Sequence, residues 1–243
     1  TRMVRGFVLN VAVLPGGVSG ISDRKGKAGT PGGGVCLVMR IGVLISGSGT
    51  NLQALIDSIE SGDIPGEIAV VISNRRTAYG LERARMHGIP AKSILRKDYN
   101  SDHAFNIAIL ETLRRYDVEL VVLAGYLSIL SPDVVKAYPN RIINIHPSLI
   151  PAFCGKGYYG ERVHRAVLDY GVKVTGATVH FVDEGTDTGP IILQQAVMVM
   201  DDDDVHSLAQ RVLEVEHRLL CRAVKLFIEG KLTVQGRKVI IKE

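Results

Sequence analysis

The sequence contains no tryptophan, and all aromatic residues together make up 5% of its 243 residues. It also has only three cysteines, Cys36, Cys154 and Cys221, which lie far apart and form no CxxC pair. This excludes a disulfide-rich scaffold and a cysteine-based metal site. A low cysteine content of this kind is typical of a reducing compartment, so we expect a cytoplasmic protein without a metal.

Long hydrophobic runs are missing as well. No apolar stretch approaches the ~20 residues that a membrane-spanning helix needs. The segment Arg2–Leu14 resembles a signal peptide weakly, but Asn10 interrupts it and no good cleavage site follows. Apolar residues make up 46% and charged residues 22% of the chain, as in ordinary globular proteins. We expect neither membrane insertion nor secretion.

An excess of positive charge is absent from most of the chain. The net charge is +4, and residues 1–39 account for all of it with five basic residues and one acid. The remainder is neutral overall, so the sequence pI of about 9.0 does not indicate a nucleic-acid-binding surface.

The N-terminal segment differs from the rest of the chain. Residues 1–39 hold nine of the 26 glycines, including Gly32–Gly34, and offer little apolar surface for a core. The sequence therefore predicts a glycine-rich extension over 1–38 and one domain over 39–243. We expect Met39 to be the natural start.

From residue 40 onward, short apolar runs alternate with helical periodicity. The predicted strands are 41–46, 67–73, 91–95, 119–124, 141–146, 173–182 and 190–200. The predicted helices are 50–61, with Thr50 or Asn51 as its N-cap, and 79–87, 101–116 and 205–229, and a hairpin is expected near Gln235-Gly236. Such alternation predicts an α/β fold with a doubly wound, mostly parallel sheet.

A glycine-rich loop, Ser46–Asn51, connects the first strand to the first helix. Glycines let a ligand approach the backbone, and a helix N-terminus offers free N–H groups to an anion. The loop is not a Walker A motif, and Leu52 stands where a dinucleotide fingerprint has its third glycine. The sequence thus indicates phosphate binding without a dinucleotide, although an ordinary strand-to-helix turn would look the same.

Two further segments carry groups suited to acyl transfer. Asn144 and His146 share one face at the end of a predicted strand, where parallel sheets bind their ligands. Asparagine can donate a hydrogen bond to an oxyanion, and histidine can transfer a proton. In the acidic loop 183–190, Asp187 is the carboxylate expected to support His146. Each segment alone could also be an ordinary turn.

The sequence contains other candidate functional residues, for which the evidence is weaker. Cys154 is a conceivable nucleophile without a visible activating group. His180 lies on a predicted strand and could line a site or belong to the core. Asp201–Asp204 is interpreted as the start of a helix rather than a metal site. His164, His206 and His217 lie on helical stretches and are interpreted as structural or exposed.

Taken together and in this order, four segments resemble the phosphoribosylglycinamide formyltransferase family of purine synthesis. They are Ile45–Gln53, Leu123–Tyr126, Asn144–Ser148 and Asp187–Pro190. The resemblance covers about residues 39–243. It implies a Rossmann-like formyltransferase fold, and transfer of a formyl group from 10-formyltetrahydrofolate to the amine of glycinamide ribonucleotide. A monomer or homodimer acting on small molecules, with no nucleic acid or metal, is expected.

The resemblance also implies roles for individual residues. Asn144 and His146 would stabilise the tetrahedral oxyanion, and Asp187 would keep His146 protonated and aligned. Glu216 would contact the glycinamide end of the substrate. The remaining residues with implied roles are Gly49, Thr50 and Asn51 for the substrate phosphate, and Leu127, Ser128, Ile129, Leu130 and Asn144 for the folate.

The chain departs from the family pattern at three places. Ser128 and Asp102 stand where family members have arginines facing the folate, and the loop Cys154–Gly160 is longer than usual. Two formyl enzymes of the same fold, formyltetrahydrofolate hydrolase and methionyl-tRNA formyltransferase, are the nearest alternatives. The first should carry a folded N-terminal regulatory domain, and the second a C-terminal domain and a basic face. A non-catalytic nucleotide-binding module is the alternative from another class.

Overall fold

A computed structural model describes residues 38–242. The predicted extension, apart from Val38, lies outside the described residues. Met39 is the first residue of the first strand. No helix within 38–242 is both long enough and apolar enough to cross a bilayer.

The described residues form one nine-stranded sheet with six α-helices. The strands are β1 (Met39–Ile45), β2 (Gly66–Ser73), β3 (Ala91–Ser93), β4 (Leu120–Leu123), β5 (Ile142–His146), β6 (Val174–Phe181), β7 (Ile191–Met198), β8 (Leu232–Gln235) and β9 (Lys238–Ile241). The helices are α1 (Thr50–Glu60), α2 (Tyr79–Met86), α3 (Asp102–Arg115), α4 (Pro132–Ala137), α5 (Glu161–Tyr170) and α6 (Val205–Ile228).

The sheet is mixed but mostly parallel in its first half. Its strand order is β3-β2-β1-β4-β5-β6-β7-β9-β8. The strands β1 to β5 are mutually parallel, whereas β6 pairs antiparallel with both β5 and β7. The predicted α/β, doubly wound, mixed sheet is confirmed.

Helices cover both faces of the sheet because its central strands are apolar on both sides. Along β1, Val43 and Ile45 belong to one core cluster with α1, α2, α5 and α6. The intervening Leu44 belongs to a second cluster with α3 and α4. This is the pattern of a sheet buried on both faces, in which consecutive side chains point to opposite layers.

The strand order reverses between β1 and β4, which opens a crevice at their carboxyl ends. The loop after β1 and the segment after β4 are joined there by hydrogen bonds at Ser46. The Ser46 amide donates to the Gly125 carbonyl at 3.1 Å, and the Leu127 amide donates to Ser46 Oγ at 2.8 Å. The two segments with implied ligand contacts are therefore held together by one backbone hydrogen bond and one to the Ser46 side chain.

The start of α6 agrees with the interpretation of Asp201–Asp204. Asp204 caps the helix by accepting from the Ser207 amide at 2.7 Å, and Ser207 Oγ accepts from the Asp204 amide at 3.1 Å. This reciprocal capping satisfies two backbone N–H groups at the helix start.

The predicted cap of α1 is wrong. The N-cap is Gly49, with φ 72°, and no side chain caps the helix. The Asn51 side chain is instead drawn to a buried partner on α6, a contact described below. Helix α4 has no counterpart among the predicted elements because its six residues are too few to establish a helical periodicity.

Candidate active site

Four polar side chains converge at the carboxyl end of β5. Asn144 and His146 lie two residues apart on β5, and antiparallel pairing places His180 of β6 directly opposite Asn144. The loop after β6 brings Asp187 between the two histidines. Its carboxylate oxygens lie 3.7 Å from His146 Nδ1 and 3.7 Å from His180 Nε2. The structure thus brings together the three residues with implied catalytic roles and adds His180.

Asp187 is held in a backbone conformation that few side chains adopt. Its φ is 56°, in the left-handed region, and its Oδ2 accepts a hydrogen bond from the Gly155 amide at 2.9 Å. Next to it, a Cβ on Gly189 would lie 1.8 Å from the Phe181 carbonyl oxygen, so this turn requires a glycine. Unusual backbone conformations of this kind cluster at functional sites, where the surrounding structure enforces them.

The charges of this group differ from those implied by the resemblance. Burial lowers the pKa of His146, and this outweighs the hydrogen bond to the Phe153 carbonyl and the attraction of Asp187. Burial raises the pKa of Asp187, but contacts with His180, His146 and the Gly155 amide outweigh it, so that pKa is lowered. The free protein therefore has an ionised Asp187 beside a His146 that is mostly neutral at pH 7. Protonation of His146 in the resting state, as expected from the resemblance, is not favoured.

The tautomer of neutral His146 follows from its hydrogen bond. A carbonyl oxygen can only accept, so His146 Nε2, 2.9 Å from the Phe153 oxygen, carries the proton. The Nδ1 lone pair then faces the Asp187 carboxylate. A proton arriving at Nδ1 would form an imidazolium that Asp187 stabilises directly.

A cleft of about 260 Å³ opens above these residues. Asn144, His146, His180 and Asp187 line its polar side, and Leu127–Leu130 lines an apolar side. Within the apolar side, 68% of Ile129 and 43% of Leu127 are exposed. Large apolar side chains exposed beside a polar cluster are typical of a binding site for a partly apolar ligand.

The loop Gly155–Gly160 is a part of the cleft wall whose role the sequence did not reveal. It contributes Lys156, Tyr158 and Tyr159 to the lining. In the sequence, this loop differs from the family pattern by its length. The glycines at both ends and the two adjacent tyrosines were the available signals for a ligand-facing loop.

Ser128 and Asp102, which replace the arginines of the family pattern, differ in their position relative to the cleft. Ser128 lines the cleft and accepts a hydrogen bond from Asn74 Nδ2 at 2.7 Å. Asp102 is the first residue of α3, forms an ion pair with Arg96 and is not among the residues that line the cleft.

The glycine-rich loop lies outside the lining of this cleft, at the N-terminus of α1. Gly49 contacts Gly80 of α2 so closely that a Cβ on Gly49 would lie 2.6 Å from the Gly80 Cα. Arg83 Nε donates to the Ser48 carbonyl at 2.9 Å and adds a positive charge beside the loop. Gly49, Thr50 and Asn51 are thus placed where the free amides of a helix start could meet an anion.

Replacing Gly80 by alanine is expected to disturb this loop. The new Cβ would lie 2.4 Å from Ile45 Cδ1 and 3.1 Å from the Gly49 Cα, so the end of the Ile45 side chain must turn away and the loop must shift by a few tenths of an ångström. We expect a loss of about 1–3 kcal/mol in the free energy of unfolding, measured by urea denaturation. Gly47→Ala is the matched control, because a Cβ on Gly47 meets nothing within 4 Å. Equal stability of the two variants would contradict the steric argument.

Glu216 of α6 is buried next to the same loop, with 8% of the residue exposed. Its Oε2 accepts a hydrogen bond from Asn51 Nδ2 at 2.7 Å. Burial raises the Glu216 pKa from 4.5 to about 7, against the opposing effect of the Asn51 hydrogen bond. Asn51 Oδ1 is buried without a hydrogen-bond partner among the described residues.

Replacing Glu216 by glutamine is expected to change how stability depends on pH. The folded protein retains a proton that the unfolded chain releases between about pH 4.5 and 7. The free energy of unfolding therefore falls as pH rises through this range, by about 3 kcal/mol from this group. Glu216→Gln should lack this fall and be more stable than the original protein at pH 8 in thermal unfolding. The exposed Glu214→Gln is the control, and parallel pH profiles for all three proteins would contradict the assignment.

None of the remaining candidates is among the residues that line the cleft. Burial, and then Asp187, raise the pKa of Cys154, which disfavours a thiolate nucleophile. His164 is buried on α5, and His206 and His217 lie on α6. Within residues 38–242, no group of three or more His, Cys, Asp or Glu side chains has the geometry to hold a metal ion.

Comparison with known proteins identifies the family. The formyl transferase family model matches residues 39–224. A phosphoribosylglycinamide formyltransferase from Haemophilus influenzae is 41% identical over 196 residues, which cover 81% of this chain and 90% of that protein. A chloroplastic protein of the same name from Arabidopsis thaliana is 40% identical over 79% of this chain.

The chain spans only part of several of these relatives. It covers 66% of the Arabidopsis protein and 19% of a trifunctional purine biosynthetic protein from Gallus gallus, to which it is 44% identical.

Solved structures share the fold. A glycinamide ribonucleotide transformylase from Symbiobacterium toebii is 52% identical, with a TM-score of 0.81 over 85% of this chain and 95% of that one. A formyltetrahydrofolate deformylase from Pseudomonas syringae has a TM-score of 0.79 at 27% identity, over 86% of this chain and 67% of that one.

Proposed function

We propose a function from the premise that this chain belongs to the formyl transferase family. The protein transfers the formyl group of 10-formyltetrahydrofolate to the amine of glycinamide ribonucleotide, a step of purine biosynthesis. The observation that carries the proposal is the convergence of Asn144, His146 and Asp187 at the edge of an apolar-walled cleft. The names of the more similar relatives point to the same reaction.

Two sites are proposed for the two substrates. The phosphate of the ribonucleotide binds to Gly49, Thr50 and Asn51 at the start of α1, and Glu216 holds the glycinamide end. The folate lies in the cleft against Asn144 and the apolar wall of Leu127, Ser128, Ile129 and Leu130. The hydrogen bonds at Ser46 fix the two sites relative to each other.

The chemical step is a direct attack. The substrate amine adds to the formyl carbon, and the formyl oxygen becomes an oxyanion that the Asn144 side chain stabilises. The amine loses one proton as the bond to the folate nitrogen breaks, and that nitrogen gains one proton. His146 carries this proton on Nδ1, where Asp187 compensates the imidazolium charge. The formyl group and one proton exchange places, so the step needs no oxidant or reductant.

Neither alternative formyl enzyme fits the described residues as well. The deformylase structure is 27% identical, against 52% for the Symbiobacterium transformylase. Residues 40–243 carry no net charge, which does not favour a tRNA-binding face. A non-catalytic nucleotide-binding module would need the glycine-rich loop before α1, but it would not need Asn144, His146 and Asp187 together. The cytoplasm is the proposed location, because Cys154 and Cys221 are free thiols within residues 38–242.

The test is a spectrophotometric assay that follows release of the deformylated folate. We expect turnover with 10-formyltetrahydrofolate that depends on glycinamide ribonucleotide. Release of folate without the ribonucleotide would identify a hydrolase instead. Folded protein with no turnover, but with binding of the ribonucleotide, would identify a binding module.

A further inference from the structure

His180 was expected either to line a site or to belong to the core, and the structure gives it a more specific setting. The residue is 2% exposed, and both ring nitrogens have close polar neighbours. Nδ1 lies 2.8 Å from the Phe181 carbonyl oxygen, and Nε2 lies 3.1 Å from Asn144 Nδ2. The backbone of β6 thus supplies one partner and the facing residue on β5 supplies the other.

These two contacts define the tautomer. Because a carbonyl oxygen can only accept, Nδ1 carries a proton that it donates to Phe181. In the neutral ring, Nε2 is then a lone pair, and the group beside it must be a donor. The Asn144 amide nitrogen is such a donor, so one N–H of Asn144 is directed at His180.

We propose that neutral His180, protonated on Nδ1, is a positioning residue that fixes the orientation of the Asn144 amide. Asparagine amides can turn over, which exchanges a donor for an acceptor. The Nε2 lone pair of His180 admits only one of the two orientations. Asn144 then keeps one N–H that no described protein group uses, and the direction of that N–H is set before any ligand arrives.

Two titratable side chains, Asp187 and His146, lie near the His180 ring. Asp187 Oδ1 lies 3.7 Å from His180 Nε2, and His146 contributes a repulsion if both rings are protonated. A second proton on His180 would turn Nε2 into a donor and force the Asn144 amide to turn over. The two carboxylate oxygens of Asp187 face the two rings separately: Oδ1 faces His180 Nε2, and Oδ2 faces His146 Nδ1.

The first test does not depend on activity. In ¹⁵N-histidine-labelled protein, long-range ¹H–¹⁵N spectra distinguish protonated from unprotonated ring nitrogens. We expect His180 at neutral pH to show a protonated Nδ1 and an unprotonated Nε2, and His180→Gln serves to assign its signals. A protonated Nε2 on His180 would overturn the proposal.

The second test rests on the proposed function and uses two replacements of similar size. Glutamine can accept the Asn144 N–H as His180 does, whereas leucine cannot. We expect His180→Leu to lower kcat on the order of ten- to hundredfold, as for other residues that orient a reacting side chain, with KM little changed. His180→Gln should retain most of the activity. Equal kcat values for the two variants would contradict positioning through Asn144.

A double-mutant cycle separates this role from an independent one. In an Asn144→Ala background, His180→Leu should cause no further loss, since the orientation of Asn144 no longer matters. A further loss of the same size would overturn the proposal. If the original protein had no formyl transfer activity, the proposed function would fail, while the ring tautomer would still be decided by the spectra.

Discussion

Asn144→Ala is expected to lower kcat on the order of 10²–10³-fold, with a much smaller change in the KM for the folate that lies against it. Asn144 lines the cleft at the end of β5, and it is the side-chain donor proposed for the oxyanion. Because the oxyanion exists only as the transition state is approached, loss of its donor should affect turnover far more than ground-state binding. Steady-state kinetics of formyl transfer measure both parameters.

The control is Asn100→Ala, an exposed asparagine between β3 and α3. It should leave kcat unchanged. Thermal unfolding of Asn144→Ala should show a folded protein, since the side chain makes one protein hydrogen bond, to His180. A kcat within threefold of the original enzyme would mean that another group stabilises the oxyanion.

Asp187→Asn is the second replacement with a large expected effect, on the order of 10²–10⁴-fold in kcat. An asparagine of the same shape can still accept from the Gly155 amide, so the loop should stay in place. The negative charge between His146 and His180 is lost, however. Burial already lowers the pKa of His146, and without the carboxylate nothing among its described neighbours favours the imidazolium except the Phe153 carbonyl.

Asp187→Asn is also expected to change the pH dependence of kcat/KM. Removing the charge should lower the pKa of His146 further, because Asp187 is one of the groups that raise it. The acid limb of kcat/KM that belongs to His146 should therefore move to lower pH in the variant. Asp169→Asn, an exposed acid at the end of α5, should leave both the rate and the limb unchanged. An unshifted acid limb in Asp187→Asn would remove Asp187 from the proton transfer.

Most of the fold and part of the candidate site could be predicted from local sequence patterns. Buried strands such as Leu120–Leu123 and Ile142–His146 appear in the sequence as short apolar runs, because both faces of the sheet are covered. Asn144 and His146 could be placed on one face by their spacing alone. The meeting of two motifs at the carboxyl ends of strands follows from the geometry of parallel sheets.

Contacts between distant segments could not be predicted in this way. The approach of Asp187 to His146 depends on a left-handed backbone at Asp187 and on the Gly155 amide, 32 residues away. The pairing of Asn51 with Glu216 spans 165 residues, and it explains why Asn51 does not cap α1. The resting charge of His146 depends on burial, which a sequence does not state.

The two hydrogen bonds at Ser46 also set the distance between the two proposed substrate sites. They join the loop proposed to hold a phosphate to the segment proposed to hold the formyl donor, across two neighbouring strands of a rigid sheet. The span between an anchored phosphate and the formyl carbon is therefore built into the backbone and does not adjust to the acceptor. Among phosphorylated amines, those whose nitrogen lies the right number of bonds from the phosphate can react, so selection by length precedes any recognition of the amine itself.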